Sequence, residues 1–175
     1  MYWNDKQVLV CTAIHCMKKG SSTVAGRLRI ELKRRGLDHR IMCNTCDSIE
    51  ICDMGPNMVV YPEGIIYRNV QVSDLRDIIA HLEGGPPVER LLIDAGSKDE
   101  VNRRNFYLTV VERGGSLPFV DFVAQAASFN LDEAWVNEQK ARGFVAFKDV
   151  DGECMVNVTS KTTMRYRIAP VESLP

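Results

Sequence analysis

Five of the six cysteines in this 175-residue chain fall within its first 52 residues. Cys11 and Cys16 form one pair with four residues between them, and Cys43, Cys46 and Cys52 follow, just ahead of Asp53-Met54-Gly55-Pro56. Thiolates on two separated segments point to a metal or an iron–sulfur cluster when the chain stays in a reducing compartment. The N-terminal half therefore needs a scaffold that brings two distant segments to one end.

The compartment follows from what the ends and runs of the chain lack. Met1-Tyr2-Trp3-Asn4-Asp5-Lys6 has no basic-then-apolar layout of a signal peptide. No apolar run approaches the roughly eighteen residues of a membrane span. A cytoplasmic protein without a membrane partner is expected, and structural disulfides are not. The apolar fraction of 45% and charged fraction of 26% suit a globular protein. A net charge of −1 gives no strong pull toward nucleic acid.

In the first half, Gln7-Val8-Leu9-Val10 reads as a buried strand ending at Cys11. Ser21-Ser22-Thr23 offers cap hydroxyls to a helix carrying Val24, Leu28 and Leu32 and stopping at Gly36. Asp38 to Met42 is expected as a second strand leading into a Cys43–Cys52 loop. Asn57 to Tyr61, a Pro62-Glu63-Gly64 turn and Ile65-Ile66-Tyr67 predict a hairpin. Val72, Leu75, Ile78, Ile79 and Leu82 carry a helical period closed by Gly84-Gly85, with Ser73 as cap and no full capping box. The result is a small α/β layer with both cysteine segments at one end.

The run Cys52-Asp-Met-Gly-Pro-Asn-Met-Val-Val-Tyr-Pro-Glu-Gly-Ile-Ile-Tyr and the closing Gly84-Gly85-Pro86-Pro87-Val88-Glu89-Arg90-Leu91-Leu92-Ile93 resemble the thioredoxin-like [2Fe-2S] ferredoxins, from about Val8 to about Ile93. The resemblance implies a thioredoxin-like ferredoxin domain over residues 1–94, a [2Fe-2S] cluster as cofactor, one-electron transfer to redox partner proteins, and a homodimer. The Cys11/Cys16 spacing is closer to the related subunit of respiratory complex I. The family's second loop usually carries Cys-x3-Cys, which counting back from Cys52 falls on Ser48. The expected ligands are Cys11, Cys16, Cys46 and Cys52, with Cys43 the alternative to Cys46. A serine ligand at 48 is disfavoured because soft thiolate suits the iron better than alkoxide. Four thiolates, two per iron, would hold a core that accepts one electron.

Competing readings exist for several groups. Cys43-x2-Cys46 with Cys11 and Cys16 would make a four-thiolate zinc site, but it leaves Cys52 spare. His15 between two ligands suggests a Rieske iron, which needs a second histidine that His39 and His81 do not supply from those segments. Lys18, Lys19, Arg27, Arg29, Lys33, Arg34 and Arg35 form either a docking face for an acidic partner or, as preferred here, a solvated helix face.

After a hinge at Gly96-Ser97-Lys98-Asp99 the pattern changes. A helix with Phe106, Leu108, Val110 and Val111 ends at Gly114-Gly115. A second opens at Leu117-Pro118, a third runs from Leu131 to Arg142, and strands flank Asp149-Val150-Asp151-Gly152. This order resembles a winged helix–turn–helix, giving a small α+β winged-helix-like domain over residues 100–168 and a tail over 169–175. The third helix and the turn are acidic, and Lys161, Arg165 and Arg167 are the only basic cluster beyond them. Since phosphate neutralisation dominates DNA affinity, partner docking or dimerisation is preferred over DNA. Asp149 and Asp151 lack the further ligands of a calcium loop, and Cys154 is expected to be a buried small residue.

No activated nucleophile, paired carboxylates or phosphate loop stands out, so no independent enzyme is expected. The leading expectation is a one-electron carrier with a C-terminal adaptor. The alternatives are a redox-sensing regulator that binds DNA and a subunit of a larger oxidoreductase complex.

Overall fold

A computed structural model describes residues 3–168; the expected tail over 169–175 lies outside the described residues. The chain divides into two compact units, one up to residue 94 and one from residue 95 onward.

The first unit is built on a five-stranded sheet in the order β2-β1-β3-β4-β5. Its strands are β1 (Lys6–Cys11), β2 (Ile41–Cys46), β3 (Met58–Tyr61), β4 (Ile65–Tyr67) and β5 (Leu92–Ile93). β1 and β2 are parallel, and every other pairing is antiparallel. Parallel neighbours need a crossover. Here it comprises the short helix α1 (Ile14–Lys18) and the longer α2 (Ser21–Arg34). α2 buries Val24, Leu28 and Leu32, the i, i+4, i+8 stripe of an amphipathic helix. α3 (Leu75–Leu82) buries Leu75, Ile78, Ile79 and Leu82 beside it. Both stripes pack with Val8, Val10, Met58, Val60 and Tyr67 of the sheet in one core.

Three local expectations shift. Gly20, with φ +91°, takes the cap position of α2 in place of the serine hydroxyls, because the chain leaves α1 through a left-handed turn that glycine adopts without strain. The second strand starts later than expected. Arg40 and Ile41 N–H groups bond back to the Leu37 carbonyl as a turn, so the strand runs through Cys43 to Cys46. Before α3, a capping box forms between Gln71 and Asp74, with Gln71 N–H donating to Asp74 Oδ2 at 2.7 Å. Its members are not the hydroxyl residue that sequence rules favour.

The second unit runs α4 (Lys98–Glu112), β6 (Ser116–Pro118), α5 (Phe119–Ala127), α6 (Glu133–Ala141), β7 (Val145–Val150), β8 (Glu153–Val158) and α7 (Ser160–Tyr166). Its antiparallel sheet has the order β6-β8-β7. Phe106 anchors the core with edge contacts to Phe122, Phe129 and Trp135. The Asp132 side chain caps α6 by accepting the Trp135 N–H at 2.7 Å. β6 and α7 are additions to the sequence reading: Leu117-Pro118 pairs as a strand, and the helix starts at Phe119. Inside this unit the buried Glu100 carboxylate faces Arg103 Nη1 at 3.2 Å and Arg165 Nη2 at 2.9 Å, tying α4 to α7. Cys154 is exposed on β8, contrary to the expectation of burial. Asp149 Oδ1 accepts the Gly152 N–H at 3.1 Å, which makes the Asp149–Gly152 segment a hairpin turn.

Candidate metal centre

β1 delivers the first thiol. Val8 and Val10 anchor the strand in the core, and Cys11 is the last residue of the strand, fully buried. Its N–H donates to the Asn57 carbonyl at 2.9 Å, and the Thr12 N–H donates to the Cys46 carbonyl at 2.8 Å. The segment is thus pinned to β3 on one side and β2 on the other. α1 then turns Cys16 inward to full burial, while Ile14 and Met17 remain 59% and 48% exposed on the same short helix. Cys52 opens a 3-10 turn over Cys52–Met54 that leads through Gly55-Pro56 into β3.

The three sulfurs of Cys11, Cys16 and Cys52 lie within 4.8 Å of one another. Cys11 Sγ and Cys52 Sγ are 3.5 Å apart. Among the described residues this is the cluster where three or more metal-ligating side chains converge. Cys46 stands opposite Cys11 in the parallel ladder and packs, half-buried, against the trio. Cys43 pairs with Val8 and packs against the main apolar core instead. Ser48 Oγ lies 3.4 Å from Cys52 Sγ and accepts the Glu50 N–H at 3.1 Å. None of the histidines joins the trio: His39 is exposed, and His81 is buried against Tyr67. His15 sits next to Cys16 on α1.

Crowding governs the protonation of these thiols. Cys16 is pushed far up by its contacts with the Cys11 and Cys52 sulfurs and then by burial. Cys11 is also raised: contact with Cys16 lowers it, but contact with Cys52 and burial outweigh that. Burial, and then the negative charge that Cys11, Asp47 and Cys52 would carry, raises Cys46. Burial raises Cys43 against an opposing pull from Arg29. Three sulfurs this close, away from water, favour the neutral thiol and become thiolates together only when a cation compensates their charge.

The surroundings fit an iron–sulfur core. The donor set is soft and all-sulfur, as such a core requires. Gly55 leaves room beside it: a Cβ there would stand 2.5 Å from Cys16 Sγ and 3.1 Å from the Cys52 carbonyl oxygen. Lys19 Nζ donates to the carbonyls of Cys52 and Asp53, closing the second loop onto the first. Asn57, which sequence reasoning took only as the start of a strand, is fully buried, and its Nδ2 lies 3.7 Å from Cys16 Sγ. A polar residue heading an otherwise apolar strand was the available signal. Of the basic residues on α2, Arg29 donates to the Cys43 carbonyl and Arg34 pairs with Glu31, and Arg35 just after the helix pairs with Glu83.

No family model matches the chain. A ferredoxin named for a 2Fe-2S cluster from Clostridium pasteurianum is 36% identical over 95 residues, covering 49% of this chain and 93% of the relative. A 2Fe-2S ferredoxin from Aquifex aeolicus (strain VF5) is 52% identical over 46 residues, 26% of this chain and 41% of the relative. Among solved structures, the wild-type thioredoxin-like [2Fe-2S] ferredoxin from Aquifex aeolicus shares 32% identity with a TM-score of 0.49, covering 52% of this chain and 98% of that one. The near-complete coverage of the clostridial protein, together with the sheet and the cysteine trio, places the first unit: the chain belongs to the thioredoxin-like [2Fe-2S] ferredoxins.

Proposed function

We propose that this chain is a one-electron carrier whose Cys11, Cys16, Cys46 and Cys52 hold a [2Fe-2S] cluster. The observation that carries the reading is the buried trio of sulfurs within 4.8 Å, contributed by two segments of one sheet end. When bound, the cluster accepts and releases single electrons. The protein's part is to hold and shield it. The parallel ladder fixes the Cys11 and Cys46 backbones opposite each other, and the Asn57 carbonyl holds the Cys11 N–H. Apolar Ile49 and Ala13 pack around the sulfurs and keep water away. Cys46 is preferred as the fourth ligand because it borders the trio, whereas Cys43 packs, half-buried, against the core between sheet and helices. The same placement speaks against a zinc site built on Cys43 and Cys46.

The second unit serves partner docking or dimerisation in this reading. Its order of helix, strand, helix, helix and hairpin, with β6 added beside β8, supports a winged-helix-like module. Two of its three clustered cations are engaged within the unit: Lys161 Nζ donates to the Arg142 carbonyl, and Arg165 pairs with Glu100. That engagement weakens the case for phosphate contacts.

The test is iron and acid-labile sulfide analysis with visible spectroscopy on anaerobically purified protein, wild type beside Cys46→Ala, Cys43→Ala and Ser48→Ala. Wild type is expected to carry both elements. Cys46→Ala is expected to lose most of the cluster, while Cys43→Ala and Ser48→Ala retain it. Colourless wild-type protein holding zinc would end the carrier reading. Cluster loss confined to the Ser48 or Cys43 variant would reassign the fourth ligand.

A further inference from the structure

Asn57 is the polar exception at the head of β3. Met58, Val59 and Val60 follow it and are all buried. Its own side chain is fully buried, and its Oδ1 is enclosed with no hydrogen-bond donor beside it among the described residues. An enclosed acceptor without a donor destabilises a fold, and a valine of similar width would avoid that penalty. The compensating feature lies on the other side of the amide. One Nδ2 hydrogen bond goes to the Ile51 carbonyl at 2.8 Å, and Nδ2 also lies 3.7 Å from Cys16 Sγ. Flipping the amide would turn Oδ1 toward a carbonyl oxygen and a sulfur, two acceptors, so the orientation is set by its partners. The backbone of the same residue accepts the Cys11 N–H at 2.9 Å.

We infer that Asn57 is a positioning residue for the redox centre: its side-chain N–H donates to the Cys16 sulfur and raises the reduction potential of the cluster. This rests on the carrier reading above. Reduction adds one electron, and part of that charge spreads onto the ligating sulfurs. An N–H aimed at one of them stabilises the reduced form more than the oxidised form. The second N–H, on the Ile51 carbonyl, fixes the amide and with it the loop that presents Cys52. Asn57 therefore acts on the potential through Cys16 and does not itself ligate iron.

The experiment compares full-length wild type, Asn57→Val and Asn57→Asp by potentiometric titration, with iron and sulfide measured on each sample. Asn57→Val removes both donors, and Asn57→Asp puts acceptors where the donors stood. Both are expected to retain iron and to titrate at more negative potential, Asn57→Asp the more so. Iron-loaded Asn57→Val with the wild-type potential would overturn the role of Asn57 and leave the carrier reading intact. Wild type lacking iron and sulfide would instead sink the carrier reading and this inference with it. If neither variant retains iron, wild-type protein carrying 15N in its asparagine side-chain amides decides by pulsed EPR of the reduced cluster. Coupling to such a nitrogen at hydrogen-bond range supports the inference, and its absence overturns it.

Discussion

At the scale of single residues, the centre is specified by small groups around the thiols as much as by the thiols. Gly55 has φ −75°, a backbone conformation open to any residue, so its glycine identity answers to space alone. Gly55→Ala is expected to lower cluster content and to destabilise the first unit by about 1–3 kcal/mol, the usual range for overpacking. Iron analysis and denaturant unfolding of the same preparations check this. A second residue-scale prediction concerns the far side of that unit. Tyr67 Oη and His81 Nδ1 share a hydrogen bond at 2.8 Å, and Tyr67 Oη accepts the Val88 N–H at 3.1 Å. Burial, and then Lys6, hold His81 below the ordinary histidine range, against an opposing pull from Glu63. A histidine depressed in the folded state binds its proton more tightly when unfolded. Its contribution is therefore complete above the unfolded value of about 6.5 and is lost as pH falls below it. Thermal unfolding of wild type is expected to weaken more steeply from pH ~7 to ~5 than that of His81→Gln. Parallel profiles would rule out this role for His81.

At the scale of elements, the long ones were legible and the short ones were not. α2 and α3 announce themselves through their apolar period, and the hairpin of β3 and β4 through Tyr61-Pro62-Glu63-Gly64. β6 has three residues and α1 five, too few to show any period, and each exists because a neighbour supplies partners: β8 for β6, the packed thiols for α1. β2 was displaced for a related reason. Its Asn44 and Thr45 are polar, and only the ladder to β1 makes that stretch a strand. The displacement matters to the site, since it moves Cys43 from a supposed loop into β2, half-buried against the core. Sequence spacing favours Cys46 over Cys43 and Ser48 but cannot show which of them borders the trio, nor that Asn57 is buried beside Cys16, because burial direction and an amide's partners depend on tertiary packing. In the second unit the α4–α7 junction gives a test of its own. Glu100 is the carboxylate that both Arg103 and Arg165 face, and it is nearly buried. Removing one member of a buried ionic group leaves charge uncompensated. Glu100→Ala is therefore expected to destabilise this unit by about 3–5 kcal/mol and Arg165→Ala, whose side chain is 28% exposed, by less. Chemical denaturation of the two variants, followed by the fluorescence of Trp135, ranks them.

At the scale of the whole molecule, each unit has its own apolar core, and the cysteine trio draws entirely on the first. Ligands stabilise only the state that binds them. Calorimetry of the iron-loaded chain is expected to show two transitions, and removing the cluster with chelator and reductant is expected to lower only one of them. Loss of both together would mean that the second unit depends on the first for its stability. The parallel pairing of β1 with β2 has a consequence for how the protein is made. Cys11 and Cys46 stand opposite each other only after the intervening helices have crossed over and the two strands have joined, a contact between residues far apart in the sequence. With Cys11 and Cys46 as the proposed ligands, joining of β1 to β2 and capture of the cluster are coupled steps, since the pair can share a cluster only once the strands have met. A chain released before β2 has docked would offer a donor system scattered thiols, not a receptacle.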